Sequence, residues 1–347
     1  MRSTHPLLER LGIEVPIIQA PMAGVQDWRM AAAVSAAGGL GSIPCGMLSA
    51  EQVEAEVAAF RNTTSAPVNL NFFCHRMSEP TEDVMQRWQE CLTGFYDQTG
   101  IQPSSSGALR LPYDDVMADV VERLRPEVVS FHFGLPQAAL VERLKNIGCL
   151  ILSTATTLEE GMWLQANGAD MVIAQGYEAG GHRGMFLTDD LATQTGTLAL
   201  VSLLVNKLDV PVIAAGGIGC AADVQAALSL GAVAVQAGTA YLLCDEAKTS
   251  AVHRQQLKDL SAVTALTNVF SGRPARGIRN RLMLELGDIC ADVAPFPYAS
   301  GLLGPLKQAA EAQGKGDFSS LWSGQNRSGC AEISAADMTR RLWSVAD

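Results

Sequence analysis

The hydrophobic and polar residues of this chain form a repeating pattern. A helix-like run rich in Ala and Leu ends in Gly, a short apolar run follows, and that run ends in a Gly-rich or polar loop. Residues 167–174 and 230–237 are two copies of this unit. Glycine suits the left-handed residue that ends many helices. Strands that are apolar on both faces are typical of a parallel sheet covered by helices.

Eight such strands are predicted, at residues 17–20, 40–43, 68–73, 128–133, 150–153, 171–174, 212–215 and 234–237. Helices fit between them, and capping boxes predict the start of two: Ser49 with Gln52, and Thr157 with Glu160. Eight alternating strand–helix units predict an α/β fold, the (β/α)8 TIM barrel. A doubly wound open sheet is the alternative.

Two segments interrupt the alternation of strands and helices. Residues 74–127 are too long for one crossover helix and predict two. Residues 245–297 follow the eighth strand and predict a smaller, mostly helical subdomain that is inserted or appended. Because residues 303–313 predict a helix that returns to the barrel, residues 1–244 and 298–347 are assigned to the barrel.

The composition of the chain limits the partners and the cellular compartment that are expected for it. A net charge of −11 argues against nucleic acid as a partner, because no basic stripe could replace phosphate counterions. The eight cysteines are irregularly spaced without a Cys-x-x-Cys pair, which predicts reduced thiols in a cytoplasmic protein and no metal site. No apolar run reaches about 18 residues, so no membrane span is expected.

The ends of the predicted seventh and eighth strands carry the first candidate site. In TIM barrels the active site lies at the C-terminal ends of the strands, and the loops after these two strands commonly bind phosphate. Glycine-rich turns that open a helix present free N–H groups to an anion. A phosphorylated cofactor or substrate is therefore expected, and the alternative is glycines that serve only helix–strand packing. The candidate residues are Gly216, Gly217, Gln236, Ala237, Gly238 and Thr239.

Two histidines have the placement of site residues. His182 lies in a glycine-rich loop, residues 174–184, that follows the sixth strand and contains Gly180 and Gly181. His132 ends the fourth strand between two phenylalanines. Function concentrates on loops held by a rigid scaffold, although a surface turn and a core histidine are the alternatives. The remaining histidines, at positions 5, 75 and 253, are interpreted as surface or structural.

The other strand ends favour a flavin over other phosphorylated groups. No lysine is placed for a Schiff base, and no paired carboxylates indicate a magnesium site. Amide side chains can pair with the edge of a flat heterocycle, and a methionine can pack on its face. This set suits flavin mononucleotide, FMN, whose ring carries the redox chemistry. The residues concerned are Gln19, Asn71, Gln175, Gln236 and Met22.

Several blocks together resemble the signature blocks of nitronate monooxygenases, formerly called 2-nitropropane dioxygenases. They are residues 19–24 (QAPMAG), 175–182 (QGYEAGGH), 215–217 (AGG) and 236–239 (QAGT), and residues 129–134 (VSFHFG) resemble a class I block. The resemblance runs from about residue 10 to about residue 310. It implies an FMN-binding barrel that uses O2 to oxidise alkyl nitronates such as propionate 3-nitronate, releasing nitrite and a carbonyl product.

The resemblance also implies roles for individual residues. His182 is the active-site histidine, His132 is the second histidine of class I, and Tyr298 and Lys307 line the substrate pocket. Leu302 and Leu303 stand where a further pocket tyrosine is expected. The implied FMN-binding residues are Met22, Ala23, Asn71, Gln175, Gly180, Gly181, Gly216, Gly217, Gln236, Ala237, Gly238 and Thr239.

Three alternatives stay open at the level of the sequence. One is an NAD(P)H-dependent flavin reductase on the same barrel, acting on a quinone or an enoyl thioester. Another is a non-flavin lyase or isomerase that acts on a sugar phosphate. The third is a flavin-binding protein without turnover. The partners expected are a small nitronate and O2, with a homodimer left open.

Overall fold

Eight parallel strands form the centre of the structure, a computed structural model that describes residues 6–105 and 109–344. The strands are β1 (Ile17–Gln19), β2 (Gly41–Pro44), β3 (Val68–Phe73), β4 (Val128–His132), β5 (Leu150–Ala155), β6 (Met171–Gln175), β8 (Val212–Ala215) and β9 (Ala234–Ala237). Their order is β1-β9-β8-β6-β5-β4-β3-β2, and a parallel bridge between Ile18 and Leu40 joins the two ends. The predicted TIM barrel is confirmed, and the open sheet is excluded.

Helices cover the outside of this barrel. They are α2 (Trp28–Ala36), α3 (Ala50–Thr63), α5 (Asp115–Leu124), α6 (Ala138–Asn146), α7 (Leu158–Ala166), α8 (Thr197–Val205), α9 (Ala221–Ser229) and α13 (Ala335–Trp343). Helix α1 (Pro6–Leu11) differs from them, because its Leu8 and Leu11 belong to the apolar cluster inside the barrel. Consecutive strand residues point to opposite sides, so that Ile17 packs among the helices while Ile18 packs inside the barrel. The apolar strands are therefore buried on both faces, as their composition predicts.

Of the two predicted capping boxes, one forms completely and the other forms only in part. Ser49 and Gln52 form a complete capping box at the start of α3. At the start of α7, Thr157 accepts a hydrogen bond from the backbone N–H of Glu160, but the Glu160 carboxylate accepts from Thr156 and from the N–H of Phe186 instead. This buried carboxylate thus ties the loop that contains Phe186 to the helix, which is stronger bracing than a local cap alone supplies.

A second, smaller core lies beside the barrel. It joins α4 (Glu82–Thr99), α11 (Arg281–Leu286) and α12 (Ala299–Ala312). The indole N–H of Trp88 on α4 donates to the carbonyl of Ala299, at 3.1 Å. The helix expected to return to the barrel thus packs mainly against α4, because its apolar side chains, Leu302, Leu303 and Leu306, belong to this core.

The segment 245–297 contains a sheet that was not expected. Beside α10 (Ala251–Lys258) and α11 it forms β10 (Thr264–Thr267) and β11 (Ala275–Ile278). Strand β11 pairs antiparallel with β10 on one side and with β7 (Gly181–His182) on the other. The expectation of a mostly helical segment misses these strands because neither is longer than four residues. The division into two domains stays a prediction.

Candidate active site

A cavity of about 410 Å³ opens at the C-terminal ends of the barrel strands. Most sequence-predicted site residues line it, although they come from distant parts of the chain. Tyr298 does not: it precedes α12 and packs against the second core. The residues that line the cavity are Met22, Ala23, Asn71, His132, Gln175, Gly180, Gly181, His182, Gly216, Gly217, Gln236, Ala237, Gly238, Thr239 and Lys307.

Strand β11 holds His182 at the edge of this cavity. Ala275 lies opposite His182, and Arg276 lies opposite Gly181, in the antiparallel pairing of β11 with β7. Nε2 of His182 lies 2.8 Å from the hydroxyl of Ser271. The segment 245–297 therefore positions the imidazole, a role that its sequence did not suggest.

The backbone carbonyl of His182 is held from the opposite side. It accepts hydrogen bonds from Nε2 of His132, at 3.1 Å, and from the side-chain amide of Gln175, at 2.9 Å. The amide oxygen of Gln175 accepts in turn from the N–H of Gly184, at 2.8 Å. Both the N–H and the oxygen of the Gln175 side chain thus form hydrogen bonds within the loop. Because a carbonyl only accepts, His132 carries its proton on Nε2, and Nδ1 faces the Thr154 hydroxyl at 3.2 Å.

Burial keeps both imidazoles neutral. Desolvation lowers the pKa of His132 to about 4. Desolvation, followed by the positive charge of Arg110, holds the pKa of His182 well below its usual value. Aromatic rings enclose His182, with Phe296 and Trp322 at 5.4 and 5.5 Å between ring centroids. The site therefore presents an uncharged imidazole that can accept a proton.

The loops after β8 and β9 form a cradle for an anion. Gly216 and Gly217 have φ values of 118° and 72°, which L side chains rarely adopt. The backbone N–H groups of Gly217 and Gly238 donate to no described residue and lie along the cavity. The side-chain oxygen of Gln236 is buried and has no partner among residues 6–105 and 109–344. Unpaired groups of this kind are costly without a ligand, so the residues fit a phosphate and a heterocycle edge.

Sequence reasoning missed several residues that line this cavity, among them Arg110, Trp322 and Asn326. The side-chain amide of Asn326 donates to the carbonyl of Gly217, at 2.8 Å, and Trp322 bridges to Gly277 of β11. His253, interpreted above as surface or structural, is buried, lines the cavity and contacts the carbonyl of Trp322 at 3.0 Å. The segment around Trp322 and Asn326 had no signal beyond its polar, Gly- and Ser-rich composition.

Proteins of a known family resemble this chain over nearly its whole length. The family described as nitronate monooxygenase matches residues 4–344. The chain belongs to the nitronate monooxygenase family. A nitronate monooxygenase of Pseudomonas aeruginosa is 42% identical to it over 337 residues, covering 96% of each chain. This membership makes the chain an oxidoreductase of a flavin-dependent family, which excludes a non-flavin lyase or isomerase.

Solved structures agree with this assignment to the family. The structure described as nitroalkane oxidase from Streptomyces ansochromogenes has a TM-score of 0.87 and 36% identity, with 96% of each chain covered. FabK from Thermotoga maritima has a TM-score of 0.70 and 25% identity, with 97% of this chain and 94% of that chain covered. Both span the barrel and the second core, so the similarity covers the whole architecture.

Within the described ranges, no helix combines the length and the apolar composition that crossing a membrane requires. No group of three or more His, Cys, Asp and Glu side chains is placed to hold a metal ion in that same part of the chain. The cytoplasmic location and the homodimer stay predictions.

Proposed function

We propose that this protein oxidises alkyl nitronates with bound FMN and O2, releasing nitrite and a carbonyl product. One observation carries the proposal: the unpaired N–H groups of Gly217 and Gly238, the unpaired amide oxygen of Gln236 and a neutral His182 all border one cavity. A phosphate cradle beside a proton acceptor suits a flavin with a small organic substrate over its ring. Family membership supports the same reaction.

The chain offers separate groups for each part of FMN. The phosphate fits Gly216, Gly217, Gly238 and Thr239, and the ring edge fits Asn71 and Gln236 with Ala237 beside it. Asn71 donates its amide N–H to Ser130, so that its oxygen is left for a ligand. Met22 and Ala23 supply the packing surface, while Gly180 and Gly181 let the His182 loop approach closely. When bound, FMN would supply the electron acceptor for nitronate oxidation, with O2 as the terminal oxidant.

His182 is the residue that we assign to the substrate's proton and oxygens. Ser271 fixes Nε2, whereas Nδ1 makes no hydrogen bond with a described residue. The neutral ring can take an α-proton from a neutral nitroalkane, and the negative charge that develops on the substrate as the proton leaves stabilises the imidazolium that forms. His132 and Gln175 are positioning residues, because their side chains donate hydrogen bonds to the backbone carbonyl of His182 and so hold its loop in place.

The identity of the cofactor tests the cradle assigned here. We expect purified protein to absorb near about 450 nm and to release FMN on denaturation. The released flavin is identified by chromatography against FMN and FAD standards. Since the N–H groups of Gly217 and Gly238 accommodate one terminal phosphate, release of FAD, or a protein that stays colourless after incubation with FMN, would contradict the assignment.

A further inference from the structure

Arg110 is a cation of the cavity that has no carboxylate partner among the described residues. It lies in the loop between α4 and α5 and lines the same cavity as His182. Its guanidinium donates to the hydroxyl of Ser300, at 3.3 Å. None of the ion pairs among residues 6–105 and 109–344 includes Arg110.

The two lysines that line the cavity differ from Arg110 in this respect. Nζ of Lys307 lies 4.0 Å from the carboxylate of Glu311, and the Lys307 side chain is 46% exposed. Nζ of Lys248 lies 2.8 Å from the carboxylate of Asp27. Each lysine charge is therefore at least partly balanced by the protein itself. An anionic ligand would gain less from either lysine than from an unbalanced cation.

A half-buried guanidinium with no carboxylate partner among the described residues is costly unless a ligand pairs with it. Burial lowers the pKa of Arg110, yet a guanidinium keeps its charge near neutral pH. The planar fork of arginine matches a carboxylate with two parallel hydrogen bonds. A protein of net charge −11 repels dianions, so a substrate of that charge needs a local cation to enter the cavity.

We propose that Arg110 binds the remote carboxylate of the substrate and so selects nitronates that carry one, such as propionate 3-nitronate. This inference rests on the proposed function and adds to it the residue that sets substrate class. Lys307, which the family resemblance assigns to this pocket, takes a secondary part because Glu311 balances it. Ser300 accepts a hydrogen bond from the guanidinium and so helps to orient it.

The test compares two substrates on three variants of the holoenzyme. Propionate 3-nitronate carries the carboxylate and ethyl nitronate lacks it. For Arg110→Met we expect the ratio of kcat/KM between them to fall about tenfold or more, about 1.4 kcal/mol, chiefly through KM for the carboxylate substrate. Arg110→Lys should restore part of the ratio. Lys307→Met, at the rival cation of the cavity, is measured in parallel, and its ratio should fall by less than that of Arg110→Met.

The other possible results would contradict either the role of Arg110 or the proposed function on which that role rests. Equal losses on both substrates would give Arg110 a role in cavity shape, and an unchanged ratio would remove it from substrate binding. A larger fall in Lys307→Met than in Arg110→Met would assign the carboxylate to Lys307. The flavin content of each variant is measured alongside, since a variant without flavin is replaced by Arg110→Gln. A wild-type protein that oxidises ethyl nitronate alone overturns the inference, whereas one that oxidises neither nitronate overturns the proposed function itself.

Discussion

Replacing His182 with Asn is expected to lower kcat/KM for neutral nitroalkanes by about 10²–10⁴-fold, while preformed nitronates lose about tenfold or less. The imidazole is the uncharged group beside the cavity that can take an α-proton, and a nitronate has already lost that proton. Asparagine keeps a polar group near Ser271, which lies 2.8 Å from Nε2 of His182 in the native protein. Steady-state rates with nitroethane and ethyl nitronate measure the difference.

The pH dependence of kcat/KM for nitroethane is a second expected result for His182. Because burial and Arg110 hold the pKa of His182 well below its usual value, the free imidazole stays neutral as the pH falls. The acidic limb of kcat/KM for nitroethane should therefore be flat from about pH 8 to about pH 6, where an ordinary histidine of pKa about 6.5 would already lose most of its basic form. Equal losses on both substrate forms, or an apparent pKa near 6.5, would contradict His182 as this base.

Replacing Gly217 with Val is expected to yield protein with less than about a tenth of the wild-type flavin content. Gly217 has a φ of 72°, and its N–H lies unpaired on the cavity. A β-branched residue resists this backbone conformation, so the loop must shift and its N–H must turn away from the phosphate. The ratio of flavin to protein absorbance after purification measures the effect.

Gly148 offers a matched control for backbone strain alone. Its φ is 83°, and a Cβ added there would meet nothing within 4 Å. Gly148 precedes β5, so it lies at the opposite end of the barrel from the cavity. Gly148→Val should cost stability of about 1–3 kcal/mol but keep its flavin. If both variants lose flavin equally, general destabilisation rather than a phosphate cradle would explain the loss.

The barrel and the glycine loops could be predicted from the sequence because their signals are local. A glycine lies between the preceding helix and the strand at β2, β5, β6 and β9, and each of the eight predicted strands has its counterpart in the structure. The position of the candidate site then follows from the barrel, since parallel strands bring their C-terminal ends to one rim. Gly217 and Gly238 could thus be named without knowing a single contact.

The supports of the site could not be predicted, because they depend on pairing between distant segments. Ser271 and β11 hold His182 from a segment that follows the barrel, and Asn326 reaches the carbonyl of Gly217 across 109 positions of the chain. Tyr298 is a different case. The family resemblance implies a pocket residue at this position, whereas in the structure Tyr298 packs against the second core, so its role in substrate binding stays a prediction.

The visible spectrum of the purified protein under nitrogen tests the central claim most directly. We predict that propionate 3-nitronate bleaches a flavin band near about 450 nm, that admitting O2 restores the band as nitrite appears, and that NADH alone leaves it unchanged. Nitronate and NADH are added to separate samples of one preparation. Bleaching by NADH, with no response to nitronate, would contradict the account and identify an NAD(P)H-dependent flavin reductase on the same barrel.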